Sequence, residues 1–250
     1  MGERERYTPG TFCWADLGTA DQEAAARFYG GLFGWEPEAR SNPAGGVYTM
    51  MRLYGKAVAG LRDGPAAWLS YVSIEDADAC VGRLRELGGI VVDGPARVGA
   101  AGRMALVQDR QGALFALWQP GEHAGAGLVN EVGAMVWQHL STPDVGAARN
   151  WYAQLFEWSW EELEGGGGWW NARNREGWLT GSVSDLPAEG VPPNWQVSFA
   201  VEDATAACAR VEELGGSTTL PRIETPVGGI AVVRDPEGAP FGFFDGESEP

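Results

Sequence analysis

Few side chains in this sequence can exchange a proton near neutral pH. The chain holds two histidines, His123 and His139, and three cysteines, Cys13, Cys80 and Cys208. An imidazole titrates close to neutrality and can act as a general base wherever a substrate reaches it. His139 stands two residues after Trp137, and Asp16 stands two residues after Trp14. Side chains alternate across an extended strand, so each pair points to one face: an indole with an imidazole, and an indole with a carboxylate. Both pairings set an acid or base beside a stacking surface, and His139 and Asp16 are the candidate catalytic groups. The cysteines are odd in number and form no C-x-x-C pair, which indicates neither a disulfide framework nor a thiolate metal site. They read as small buried apolar residues.

Tryptophan is the anomaly of the composition, with 12 Trp beside 6 Tyr and 9 Phe. A core seldom needs so many indoles, so some are expected to line a site. Residues 165–168 are consecutive glycines. They lack the G-x-G-x-x-G spacing of a phosphate cradle and read instead as a loop on a pocket rim, beside Trp169 and Trp170.

The elements that must position these groups follow from an internal repeat. Residues 12–21 align with 135–144 and carry Trp14, Leu17, Thr19 and Asp21 onto Trp137, Leu140, Thr142 and Asp144. Farther on, Tyr29 and Trp35 match Tyr152 and Trp158, Trp68 matches Trp195, and the turn at 109–112 matches 235–238. Two tandem domains are expected, 1–120 and 133–250, joined by a linker of small residues at 121–132. In the first domain, alternation predicts strands over 11–17, 47–53, 56–61, 68–74, 90–92, 103–108 and 114–118. Helical spacing predicts helices after Asp21 and Asp76, stopped by Gly34 and by Gly88-Gly89, with Ala79, Cys80, Leu84 and Leu87 as the apolar stripe of the second. Asp21, Asp76, Asp144 and Asp203 read as N-caps.

The pattern Trp-x-x-Leu-x-Thr-x-Asp, repeated at 14–21 and 137–144 and closed by Asp-Pro-Glu-Gly at 235–238, resembles the vicinal oxygen chelate superfamily. That superfamily includes glyoxalase I, extradiol dioxygenases, and bleomycin and fosfomycin resistance proteins. The tandem form is similar to actinobacterial proteins labelled "hydroxylase" or "glyoxalase-like". The resemblance implies an α+β fold in which each domain pairs two βαβββ units into a curved mixed sheet, with helices outside and a cup on the open side. Its metal-ligand positions fall on Trp14, Leu69 and Ala116, and on Trp137, Gln196 and Gly242. None of these is a good ligand for a divalent ion, so neither a metal nor another cofactor is expected. Trp14, Asp16, Tyr71 and Trp118 would then face one cup, and Trp137, His139, Gln196, Ser198 and Phe244 the other.

Charge and length remove other classes. A formal charge of −16 over 250 residues repels a phosphate backbone, so nucleic acid is set aside as a partner. The apolar runs around Met135 and Ala231 fall short of the roughly 20 residues that span a bilayer, and residues 1–9 lack the apolar core of a signal peptide. A soluble cytoplasmic protein with no membrane partner is expected. An aromatic wall with few polar groups suits a flat, partly apolar molecule. The leading expectation is metal-independent binding of an aromatic or hydrophobic small molecule, as in antibiotic sequestration, resistance or carriage. One alternative is a metal-independent enzyme of specialised metabolism that works through His139 and Asp16. Another is a structural or interaction protein with filled pockets. The resemblance also implies that two domains in one chain can form the paired interface themselves, so a monomeric pseudo-dimer is expected, with a homodimer as the alternative.

Overall fold

Apolar strands that run into aspartate-capped helices open each unit of the chain. In the computed structural model, which describes residues 2–41 and 45–247, the first half folds as β1 (Phe12–Thr19), α1 (Gln22–Phe33), β2 (Glu36–Ser41), β3 (Val47–Leu53), β4 (Lys56–Asp63), β5 (Ala67–Ser73), α2 (Ala77–Glu86), β6 (Ile90–Val98), β7 (Gly102–Gln108) and β8 (Leu114–Pro120). The second half repeats it as β9 (Met135–Thr142), α3 (Val145–Phe156), β10 (Ser159–Glu162), β11 (Trp170–Arg173), β12 (Leu179–Asp185), β13 (Asn194–Ala200), α4 (Ala204–Glu213), β14 (Ser217–Thr225), β15 (Gly228–Arg234) and β16 (Pro240–Phe244). Each half closes into its own eight-stranded mixed sheet, ordered β2-β3-β4-β1-β5-β8-β7-β6 and β10-β11-β12-β9-β13-β16-β15-β14. The expected paired βαβββ architecture is therefore present twice. The outer domain limits, residues 1 and 250, lie outside the described residues.

The expected caps hold. Asp21, Asp76, Asp144 and Asp203 each accept a hydrogen bond from a backbone N–H of the first helical turn, which satisfies a donor the helix cannot pair internally. Gly34 ends α1 in the left-handed region at φ 74°, where a side chain is disfavoured. Two details differ from expectation. Strand β2 is polar and almost wholly exposed, so it carries no alternation to betray it. The buried stripe of α2 is Ala77, Val81 and Leu84, with Cys80 and Leu87 half-buried and Ala79 exposed.

The helix-bearing faces of the two sheets meet. Ser70 of β5 donates to Gln138 of β9 at 2.6 Å where the central strands cross, and the helices flank this contact as mixed pairs. Aromatic residues of α1, Phe28, Tyr29 and Phe33, pack on Phe199, Phe241 and Phe243 of the second sheet. Trp151, Tyr152 and Phe156 of α3 pack on Phe115 of the first. The repeated motifs meet here. Tyr29 Oη donates to Asp235 at 3.1 Å and accepts from Trp68 Nε1 at 3.1 Å. Tyr152 Oη donates to Asp109 at 2.9 Å and accepts from Trp195 Nε1 at 2.8 Å. Each aspartate also holds its own turn, accepting from the amides of Gln111 and Ala113, or of Glu237 and Ala239. Trp35 and Trp158 complete the symmetry by donating to the carbonyls of Gly133 and Gly10. Much of the tryptophan excess thus serves the contact between domains.

Candidate small-molecule site

On the face away from the helices, register places equivalent positions of the two sheets side by side. In the first, Trp14 lies opposite Tyr71, which neighbours Ala116; in the second, Trp137 lies opposite Ser198, which neighbours Gly242. Asp16 pairs with Gly60 and Leu69, and His139 pairs with Ser182 and Gln196. Arg62 lies beside Gly18, and Ser184 beside Ser141. One scaffold therefore carries two different linings.

The first cup is filled by its own side chains. Asp16, 1% exposed, accepts from Arg62 Nε at 2.9 Å and from Tyr71 Oη at 2.6 Å. Burial pushes its carboxyl above the usual range, while the Arg62 charge and these hydrogen bonds oppose the rise. Trp14 Nε1 donates to Tyr48 Oη at 2.8 Å. That hydroxyl occupies space opened by Gly60, where an added Cβ would stand 1.9 Å from it. The segment expected as a linker then closes the cup. His123 sets its ring edge-on to Trp14 at 4.6 Å, and its carbonyl accepts from Trp118 Nε1 at 2.9 Å. The amides of Ala126 and Gly127 donate to the carbonyls of Cys13 and Ala57 at 2.8 and 2.7 Å. Trp14, Tyr71 and Trp118 are all buried.

The second cup is open. A cavity of about 370 Å³ is walled by Trp137, His139, Trp169, Gln196, Ser198 and Phe244, among others. Where the first cup holds Tyr71, Arg62 and Ala116, this one holds Ser198, Ser184 and Gly242, and the smaller side chains leave the space. An added Cβ on Gly242 would come within 2.1 Å of Ser198 Oγ, so this position is held at minimum size. Trp137 Nε1 donates to Ser182 Oγ at 2.7 Å, which replaces the tyrosine partner used by Trp14. His139 lies between two serines, with Nδ1 2.7 Å from Ser182 Oγ and Nε2 2.9 Å from Ser184 Oγ. Its ring stacks on Trp169 at 4.4 Å. Burial disfavours the imidazolium and lowers its pKa to about 4, so the ring is neutral at physiological pH.

Of the sequence-predicted residues, Trp137, His139, Gln196, Ser198 and Phe244 come together around this cavity. Trp14, Asp16, Tyr71 and Trp118 pack together in the other cup. Gly167 and Trp169 stand on the cavity wall, where the glycine run was expected to form a rim. Sequence reasoning missed Asn171, Ser184 and Asp185, which also line it. Extending the repeat through β4 would have set Ser182 and Ser184 beside His139, but the glycine run interrupts that alignment.

The lining does not fit a divalent ion. The implied ligand positions hold Trp137, Gln196 and Gly242. Among the described residues no group of three or more His, Cys, Asp or Glu is placed to hold a metal, whereas a catalytic zinc takes three such ligands.

Residues 11–117 match the Glyoxalase/Bleomycin resistance protein/Dioxygenase superfamily, and residues 136–244 match the Glyoxalase-like domain. The chain is 37% identical to a Mycobacterium tuberculosis protein named "Putative glyoxylase CFP32", over 96% of this chain and 97% of that one. It is 35% identical to the anthracycline biosynthesis protein DnrV of Streptomyces peucetius, over 96% of this chain and 94% of the other. Among solved structures, the Mn(II)-bound glyoxalase of Novosphingobium aromaticivorans superposes with a TM-score of 0.68 at 15% identity, covering 96% of this chain and 83% of that one. At that identity the likeness shows the fold alone. Repeat, sheet topology and full-length relatives agree, and the chain belongs to the Glyoxalase/Bleomycin resistance protein/Dioxygenase superfamily.

Proposed function

We propose that the second cup binds a flat, largely apolar small molecule without a metal ion, and that the first cup is a filled counterpart serving stability. The observation that carries this reading is the contrast between the linings: equivalent positions hold Tyr71 and Arg62 in one sheet and Ser198 and Ser184 in the other, and a cavity of about 370 Å³ lies on the serine side. Trp137, Trp169 and Phe244 supply aromatic faces, while Gln196, Asn171 and Ser198 supply a few polar groups to orient the guest, the usual composition of a ligand pocket. The anthracycline biosynthesis names of two relatives support a small molecule of specialised metabolism as the guest. Binding should quench tryptophan fluorescence in the wild-type chain. Treatment with a chelator should change neither the melting temperature nor the affinity, because a metal that binds only the native state would stabilise it in proportion to its occupancy. A melting temperature that drops with chelator overturns the metal-free reading.

A second reading, catalysis at the same cup, is favoured by one contact: His139 shares a hydrogen bond with Ser184, and both line the cavity. In this reading His139 moves a proton on the bound molecule, and Asp16, locked to Arg62 in the other cup, takes no part. Turnover of a bound compound that is lost in His139→Gln while its affinity is kept would establish catalysis.

A further inference from the structure

We infer that the floor of the open cup recognises the carbonyl oxygen of a planar aromatic ketone or quinone, and that Ser198 and Gln196 are the residues that select it; this rests on the binding role proposed above. Both side chains face the cup. Trp137, Ser198 and Gly242 stand side by side across β9, β13 and β16, as His139 and Gln196 do across β9 and β13, and neighbours across a sheet share a face. All four side chains line the same cavity. The two polar groups converge over the glycine: the point where a Cβ would stand on Gly242 lies 2.1 Å from Ser198 Oγ and 3.0 Å from Gln196 Nε2.

Neither group is committed elsewhere. The Trp137, Ser182, His139 and Ser184 side chains are tied to one another, whereas Ser198 Oγ and the Gln196 amide have no hydrogen-bond partner among the described residues. The first cup has no such pair, since the equivalent positions hold Leu69, which has no polar side-chain atom, and Tyr71, whose hydroxyl donates to Asp16. A hydroxyl and an amide N–H both donate, and a carbonyl oxygen offers two lone pairs, so one ligand oxygen satisfies both. A hydrocarbon in the same place would strip water from both groups and return no hydrogen bond. A carboxylate would find no lysine or arginine on the wall among the described residues, beside an imidazole that is neutral at pH 7, and an unpaired charge is costly to desolvate. Trp137, beside Ser198, and Phe244, two residues after Gly242, carry rings inclined at only 21° to each other, which suits a flat body behind that oxygen.

Equilibrium dialysis of the whole chain against 2-acetonaphthone, 2-isopropenylnaphthalene and 2-naphthoate at neutral pH tests this, because the three share one shape and differ in carrying a ketone, an alkene or a carboxylate. The ketone should bind about tenfold more tightly than either of the others. In Gln196→Leu, which installs the residue type found at position 69, and in Ser198→Ala, the ketone should lose about three- to tenfold while the hydrocarbon holds or gains, a change of ratio that misfolding does not produce. Equal affinities for ketone and hydrocarbon, a preference for the carboxylate, or a ketone preference unchanged in both variants overturns the carbonyl recognition. If the hydrocarbon still binds in those cases and is lost in Ser198→Tyr, the binding reading stands. Ketone binding that survives Ser198→Tyr lies outside the cup and overturns the carbonyl recognition too. No binding of any probe overturns both.

Discussion

His139 shows how a few hydroxyls can fix the state of a titratable ring. Ser184 Oγ lies 3.2 Å from the Asp185 carbonyl and, with its hydrogen committed there, accepts from His139 Nε2–H. The Nδ1 lone pair then accepts from Ser182, whose oxygen in turn accepts from Trp137 Nε1. Every donor has an acceptor when the imidazole is neutral, and protonating Nδ1 would break the chain. With a native pKa of about 4 against an ordinary 6.5, the unfolded chain binds more protons between these values. Stability from this site is complete above 6.5 and is lost as pH falls toward 4. His123, also lowered to about 4 by burial against the first cup, adds a loss of the same sign. His139→Gln should therefore lose less melting temperature than wild type between about pH 7 and about pH 5; an equal loss in thermal scans would refute the assignment. Ser198→Tyr should abolish ligand binding while leaving the melting temperature unchanged or higher, since the same residue type sits buried in the first cup as Tyr71. Residue types and their facing were legible in the sequence, because strand alternation set Trp137, His139, Gln196 and Ser198 on one side. Openness was not, because it depends on differences in side-chain size between paired positions on several strands, such as Tyr71 against Ser198 and Arg62 against Ser184.

Helix termini carry their instructions locally. Asp21 and Gly34 bracket α1 as read from the sequence, since an Asx cap and a left-handed glycine act through neighbouring backbone. The repeat breaks at the end of α3, where Glu157 takes the left-handed conformation at φ 61° that Gly34 takes in α1. Glutamate bears a steric cost there, and its side chain is exposed. Glu157→Gly should stabilise the protein by up to about 1 kcal/mol and raise the midpoint of denaturant unfolding; no change or a fall would mean that other contacts of Glu157 outweigh the strain. Edge strands gave less away. β2 and β10 are exposed along nearly their whole length, and a strand with no buried face has no periodicity to read.

At the scale of the whole molecule the two domains are not separate folding units. Each core combines helices and strands from both halves, and the latches Tyr29 to Asp235 and Tyr152 to Asp109 run in opposite senses across the contact. The repeat revealed two copies of a domain, but not that α1 and α3 would set aromatic side chains on the other half's sheet, because nothing local distinguishes a stripe that packs at home from one that packs abroad. Calorimetry should show a single unfolding transition, with calorimetric and van't Hoff enthalpies equal; two resolved transitions would contradict the shared cores. Tyr152→Phe leaves Trp195 Nε1 without its acceptor and Asp109 without a buried donor, which should cost about 1–3 kcal/mol. With both helix-bearing faces already covered, sedimentation should find the monomer. No helix is long and apolar enough to cross a membrane among the described residues.

The stopper in the first cup, His123 with the backbone of Ala126 and Gly127 behind it, is covalently part of the bridge between the domains and cannot diffuse away. Under the proposed binding role, the two cups of the duplicated scaffold therefore offer one open site, the second. Titration should saturate at a single equivalent and follow a simple hyperbola, without homotropic cooperativity, however symmetric the scaffold beneath it.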